Sequence, residues 1–147
     1  MDNKKAMKQM AKMVDSVQPH CDEPIKAAMT CSHAGTMTAF LASKLLGGGG
    51  VLLHNSKLPN PVFIAVGENT IYAFDYAPRG FNFKIKKEVA RWPRNEVKVA
   101  AEVGRGMANF AIATNAGENY AFEMPIMMGG KDVVLMFFEV LGVPQST

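Results

Sequence analysis

Residues 62–76 read VFIAVGENTIYAFDY and contain two apolar runs, from which the fold class can be predicted. The runs, Val62–Val66 and Thr70–Tyr76, are rich in β-branched and aromatic residues, which favour strands. The separator Gly67-Glu68-Asn69 supplies residues that tolerate tight turns or positive φ. This stretch therefore predicts two strands joined by a short turn.

Four more runs of the same composition follow toward the C-terminus, each bounded by turn-forming Gly, Pro or Asn residues. They are Gly80–Ala90, Val97–Val103, Met107–Thr114 and Glu118–Met124. On the N-terminal side, Ile25–His33 alternates so that Ala27, Met29 and Cys31 share the face of Ile25. The sequence thus predicts seven strands, six of them in an antiparallel meander.

An amphipathic helix is predicted before the first strand, over Asn3–Val17. Lysines separate apolar positions that recur at three- and four-residue spacing, as on one face of a helix. These apolar positions are Met7, Met10, Ala11, Val14 and Val17. Pro19 and Pro24 lie beyond the helix, where proline removes an amide donor and favours extended backbone.

A second helix is predicted in the insertion after the first strand, over Thr36–Leu46. Thr36 is the expected N-cap, and the glycines at 47–50 end the helix and form a flexible joint. One face of this helix carries its larger apolar side chains, which are Met37, Phe40, Leu41 and Leu45.

The last predicted element is a helix over Asp132–Leu141, with Asp132 as its N-cap and Gly142 and Pro144 at its end. Glu139 is the only polar residue between Val133 and Leu141. One stripe of the helix can therefore plug a barrel or sandwich, while a second stripe needs cover from another part of the structure.

The length and composition of the chain indicate a single domain. It has 147 residues, of which 48% are hydrophobic and 20% charged, enough to build a sizeable core. The formal net charge of +3 is far below that of a dedicated nucleic-acid binder, which argues against nucleic acid as a partner. Two cysteines form no disulfide framework, which fits a reducing compartment.

No targeting or membrane-spanning segment is expected. Lysines interrupt every apolar stretch near the N-terminus before it reaches the ~7–15 residues of a signal-peptide core. Elsewhere no apolar run approaches the ~18–20 residues that cross a bilayer. We expect a cytoplasmic protein, with peripheral contact to a membrane as an open alternative.

The order of these elements resembles the pleckstrin-homology (PH) superfold. Residues 62–76 are similar to the second and third strands of bacterial PH-like domains, and the stretch FKIKKEVARWPRNEVKV, at 83–99, is similar to the passage between their two sheets. The resemblance covers about residues 24–142, after an N-terminal helix at 1–18 and before a tail at 143–147. It implies an α+β fold, a bent antiparallel barrel or two-sheet sandwich of about seven strands capped by the C-terminal helix.

Two departures from this family concern function. The terminal helix has Phe137 and Phe138 where eukaryotic PH domains usually carry a tryptophan, and Trp92 is expected between the sheets. The first two strands and their loop offer only scattered lysines, which are Lys26, Lys44 and Lys57. A phosphate-rich head group needs several cationic donors that converge on one point, so the sequence argues against phosphoinositide recognition.

Catalytic motifs are missing from the sequence. No serine lies in a Gly-x-Ser-x-Gly elbow, the glycines at 47–50 are not followed by Lys-Ser/Thr, and the carboxylates are scattered. We therefore predict a non-catalytic binding or scaffold domain, with no catalytic residues and no cofactor.

Four residues of metal-ligand type lie close together in sequence, namely His20, Cys21, Cys31 and His33. If the chain folds back, they could form a tetrahedral site of two sulfurs and two nitrogens, although the spacing matches no common zinc module. A Cys21–Cys31 disulfide is a second alternative. The preferred interpretation is a buried Cys31 and surface histidines, with no metal bound.

Two binding hypotheses remain. The first, which the sequence favours, is a protein partner or self-association through an adaptable apolar interface of Met7, Met10, Val14, Met136 and Phe138. The second is peripheral binding to anionic membrane lipids through Lys4, Lys5, Lys8, Lys12, Lys84, Lys86 and Lys87. Each has a structural alternative, since the helix can pack on its own domain and the lysines can form a solvated sheet face.

Overall fold

The computed structural model describes residues 3–35, 37–46, 52–80, 82–126 and 130–143. Its strands match the seven runs that the sequence predicts. In chain order the elements are α1 (Asn3–Val17), β1 (Ile25–His33), α2 (Ala39–Leu46), β2 (Val62–Gly67), β3 (Thr70–Arg79), β4 (Asn82–Pro93), β5 (Val97–Val103), β6 (Met107–Thr114), β7 (Asn119–Pro125) and α3 (Lys131–Leu141).

The strands form one antiparallel arrangement in the order β4-β3-β2-β1-β7-β6-β5. Strand β1 joins the two halves: Ile25–Cys31 pairs with β2, whereas Ser32 and His33 pair with Glu123 and Phe122 of β7. The sheet is not closed, because β4 and β5 lie at its two ends. The α+β class with the PH-like order of elements is thus confirmed, in its two-sheet form rather than as a barrel.

Strand β4 bends where its pairing with β3 is irregular. Phe74 lies opposite Glu88, but Tyr76 lies opposite Ile85, so β4 carries one residue more than β3 over this interval. An extra residue interrupts the alternation of faces and increases the local twist. Lys86 and Lys87 are consequently both exposed, although they are adjacent in sequence.

The core lies between the two halves of the sheet and under α1 and α3. Phe110 of β6 stacks on Phe122 of β7, with ring centroids 4.8 Å apart, and contacts both Phe137 and Phe138 of α3. Trp92 of β4 packs on Tyr120 of β7 at 5.1 Å, so it lies between the sheets as expected. Fully burying an aromatic side chain of this kind contributes roughly 1.5–3 kcal/mol.

Helix α1 has the predicted bounds but a different buried face. Its buried side chains are Ala6, Met10, Met13 and Val17, while Met7 and Ala11 are exposed. The Sδ atom of Met10 accepts a hydrogen bond from the Ala28 amide at 3.3 Å. Both stripes of α1 are apolar at helical spacing, and the stripe of Ala6, Met10, Met13 and Val17 is the one that packs into the core.

The predicted helix caps need two corrections. Asp132 lies inside the first turn of α3, whose N-cap is Gly130 without a side-chain hydrogen bond. Thr38 accepts a hydrogen bond from the Leu41 amide at the start of α2, whereas Thr36 and the glycines at 47–50 lie outside the described residues. The predicted end of α3 is confirmed, since Gly142 has φ +84° and donates to the carbonyl oxygens of Phe138 and Glu139.

Helix α2 packs with its predicted apolar face on the outer side of β5 and β6. Leu41 and Leu45 are buried there against Ala100 and Ala111. In the described part of the chain, no helix combines the length and the apolar character that crossing a bilayer requires.

Candidate functional site

The apolar residues predicted for a partner interface are mostly packed inside the chain. Met10 and Phe138 are buried, and Val14 and Met136 are half-buried against the core. Only Met7 is well exposed, with 60% of its surface accessible. Helix α1 therefore covers β1 and part of α3 of its own chain, as in the structural alternative stated above.

The lysines of α1 lie on the side away from its buried stripe. Lys4, Lys8 and Lys12 are spaced by four residues and form one exposed row, with Lys5 beside it. Met7 is exposed on the same helix. The surface of α1 that faces solvent thus carries a row of cations and one large apolar side chain, that of Met7.

Strand β4 carries the other group of lysines. Lys84 and Lys86 alternate with the partly buried Phe83 and the buried Ile85, and Lys87 is exposed at the bulge. Helix α1 packs against β4, so the two groups of lysines, far apart in sequence, lie on neighbouring elements. We call Lys4, Lys5, Lys8, Lys12, Lys84, Lys86 and Lys87 the lysine surface.

Few acidic side chains lie on the two elements that carry this surface. On α1 and β4 they are Asp15 and Glu88. Glu88 is engaged by Arg91, whose Nε and Nη2 atoms each donate to the carboxylate at 2.7 Å. In the described part of the chain, Lys57 pairs with Glu118 and Arg91 pairs with Asp22 and Glu88, and these ion pairs do not include Lys5, Lys8 or a lysine of β4.

Asp22 lies in a polar cluster with residues of β3 and β4. Its carboxylate accepts hydrogen bonds from the Tyr72 hydroxyl and, at 3.1 Å, from Arg91 Nη1. These two bonds hold the pKa of Asp22 below its ordinary value, and burial raises the pKa of Tyr72 above its own. The guanidinium of Arg91 also lies over the Tyr72 ring, 5.1 Å from its centroid.

This cluster anchors the segment between α1 and β1. Glu23 completes it by accepting a hydrogen bond from the Asn69 amide at 2.8 Å. Because the carboxylates of Asp22 and Glu23 are bonded within the chain, the cluster serves the fold. Sequence reasoning missed it, since its members lie up to 69 residues apart.

The four residues of metal-ligand type are not brought together. The His33 ring bonds to the Pro59 carbonyl oxygen at 2.8 Å, and His20 packs on the Phe74 ring. Both cysteines are free thiols. Burial, with help from nearby carboxylates, raises the pKa of Cys21 to about 12, and burial raises that of Cys31 as well. Across the described residues, no group of three or more His, Cys, Asp or Glu side chains could hold a metal ion.

Comparison with known proteins gives little guidance on function. No family model matches the chain, and no curated protein matches it. A solved structure of Vav1 inhibited by an allosteric inhibitor aligns with 93% of this chain and 34% of that one, with 8% sequence identity and a TM-score of 0.44. At this TM-score the likeness is too weak for a function to be transferred.

Proposed function

We propose that this chain is a non-catalytic binding domain of the PH-like group, related in type to bacterial PH-like domains, and that it associates with anionic membrane surfaces through the lysine surface. One observation carries the proposal. Helix α1 packs against β4, which places the exposed lysines of two distant segments on neighbouring elements. The apolar alternative loses support because Met10 and Phe138 are buried.

The physical contribution of each lysine can be estimated. A lysine near an anionic leaflet contributes about 1 kcal/mol, within a Debye length of the surface. That is about a fivefold change in affinity per lysine that reaches the membrane. Because lysine stems are flexible and apolar, the ammonium groups can reach lipid phosphates while α1 stays packed on β1.

The positive charges of the lysine surface are spread along α1 and β4 and do not converge on one point. Fifteen helical residues extend about 22 Å, and the lysines of α1, from Lys4 to Lys12, cover about 12 Å of that length. A distribution of this kind suits a field of anionic head groups better than one multiply phosphorylated head group. Met7 adds a single apolar side chain that can enter the interface between head groups and acyl chains.

Vesicle co-sedimentation tests the proposal. We expect the chain to bind vesicles of phosphatidylcholine with a third phosphatidylserine at low salt, to bind less at 0.15 M salt, and not to bind pure phosphatidylcholine. No binding to the anionic vesicles at low salt would contradict it.

Self-association is the second candidate function, favoured by the exposure of Met7 and the half-buried Met136. Light scattering over a wide concentration range tests it on the full chain and on Met7→Gln. The full chain is the right material, because removal of α1 would uncover its contacts on β1, β4 and α3. A monomer at all concentrations would exclude self-association.

A further inference from the structure

A cavity of about 250 Å³ lies beneath the N-terminal half of α1. It is bounded by α1, β1, β4, β7 and the start of α3. Most of its wall is apolar, formed by Met13, Met29, Phe83, Met124, Val133 and Val134. The cavity is distinct from the lysine surface, although one residue, Lys5, belongs to both.

The polar side chains of this cavity are few, and two of them lie on the rim. Lys5 and Gln9 are exposed, four residues apart on the same side of α1, and both line the cavity. Lys5 takes part in none of the ion pairs that the described residues form. An apolar interior beneath a cationic rim is complementary to a ligand with an alkyl chain and an anionic head.

We propose that this cavity binds a small amphipathic anion, a medium-chain alkyl carboxylate. Its alkyl chain lies among the methionine and valine side chains of the cavity. Its carboxylate lies at the rim, where it pairs with Lys5 and accepts a hydrogen bond from the side-chain amide of Gln9.

The volume of the cavity sets the length of the ligand. A methylene group takes roughly the space of one water molecule in the liquid, about 30 Å³. A cavity of 250 Å³ therefore holds about eight carbon atoms. This is below the range of roughly 300–1,000 Å³ for drug-sized ligands, and it is too small for a complete acyl chain of a membrane phospholipid.

The lining explains why the site can adapt to such a ligand. Three of the six apolar residues are methionines, whose unbranched thioether side chains change conformation readily and fill irregular space. Methionine side chains can therefore adjust the shape of the cavity to that of an alkyl chain.

Titration of the full chain with sodium octanoate, followed by calorimetry and by amide chemical shifts, tests the proposal. We expect one octanoate per chain, with shift changes at Met29, Met124 and Val133. Lys5→Gln should weaken octanoate binding about fivefold, while Lys8→Gln, on the same helix but outside the cavity, should change it less than twofold. Octan-1-ol, which lacks the charge, should bind with an affinity that Lys5→Gln leaves unchanged.

A second variant tests the cavity by a substitution at an exposed position, which leaves the packing of the core unchanged. Gln9→Trp places a large side chain at the exposed rim and should abolish octanoate binding without lowering the melting temperature. Octanoate binding that Lys5→Gln and Gln9→Trp both leave unchanged would overturn the proposal. Binding to anionic vesicles without binding of octanoate would also overturn it. Binding of octanoate without binding to vesicles would support the ligand site in the cavity and would contradict only the proposed membrane function.

Discussion

Asn55 and Ala121 exchange two hydrogen bonds. The Asn55 side-chain amide donates to the Ala121 carbonyl oxygen at 2.9 Å, and its Oδ1 atom accepts from the Ala121 amide at 3.0 Å. The same Nδ2 atom also donates to the Ala34 carbonyl oxygen. One buried side chain from the segment before β2 therefore extends the pairing between the end of β1 and β7.

Replacing this side chain should destabilise the fold. In Asn55→Ala the Ala121 amide and the Ala34 carbonyl lose a buried partner, and we expect the free energy of unfolding to fall by about 2–3 kcal/mol. Urea denaturation measures the change. Asn95→Ala, at an exposed position, is the control and should stay within about 0.5 kcal/mol of the parent. Equal stability of the two variants would show that Asn55 does not hold these strands.

Arg94 should stabilise the end of α3. Its Nη2 atom donates to the Val140 carbonyl oxygen at 2.6 Å, and its Nη1 atom donates to the Gly67 carbonyl oxygen at 2.9 Å. The first bond satisfies a carbonyl in the last turn of the helix, where a positive charge is also favourable. Arg94→Met should lower the free energy of unfolding by about 1–3 kcal/mol in thermal denaturation.

The control for this variant is Arg105→Met, which removes a cation from the exposed turn between β5 and β6. It should leave the melting temperature nearly unchanged. A loss of stability as large as that of Arg94→Met would assign the effect to net charge rather than to the two hydrogen bonds.

Acid should weaken the polar cluster around Asp22. The hydrogen bonds from Tyr72 and Arg91 lower the pKa of Asp22 in the folded chain from its ordinary value of 3.8. The carboxylate therefore adds stability above about pH 4, and this stability is lost as the pH falls through the lower folded pKa. Asp22→Asn should flatten the decline of stability below pH 4, measured by urea denaturation at a series of pH values.

Asp15→Asn removes one carboxylate from the exposed side of α1 and is the matched control. The prediction fails if Asp22→Asn retains the full acid dependence of the parent chain.

Met7 should contribute to vesicle binding but not to stability. Because 60% of its surface is exposed, Met7→Ser should leave the melting temperature within about 2 °C of the parent. On vesicles, the variant loses the apolar side chain that enters the interface, and its partition coefficient should fall a few-fold. An unchanged coefficient would mean that the interaction is purely electrostatic.

The strands were predictable because each β-branched run is bounded by its own turn residues. The largest differences are at β3 and β4, which each extend three residues beyond their predicted ends, to Arg79 and Pro93. The buried face of α1 was not predictable. Met7 and Ala11 lie on one apolar stripe and Ala6 and Met13 on another, and the choice between them depends on how α1 packs on β1, β4 and α3.

The candidate site could be predicted only in part, because it depends on contacts between residues that are far apart in sequence. Lys8 and Lys86 could each be identified as exposed from local alternation, but nothing local places α1 beside β4. The sequence around Asn55 predicts only a loop residue, because its hydrogen-bond partner Ala121 lies in β7. The cavity beneath α1 likewise exists only once five elements meet around it.

The partition of two charge-matched variants onto anionic vesicles tests the membrane function most directly. One variant, Lys84→Gln/Lys86→Gln/Lys87→Gln, removes three cations from β4, and the other, Lys44→Gln/Lys98→Gln/Arg105→Gln, removes three from α2, β5 and the β5–β6 turn. Both have the same net charge. The first should lower the partition coefficient at least tenfold and the second less than threefold. Equal losses in the two variants would show that only net charge matters and would contradict a binding surface formed by α1 and β4.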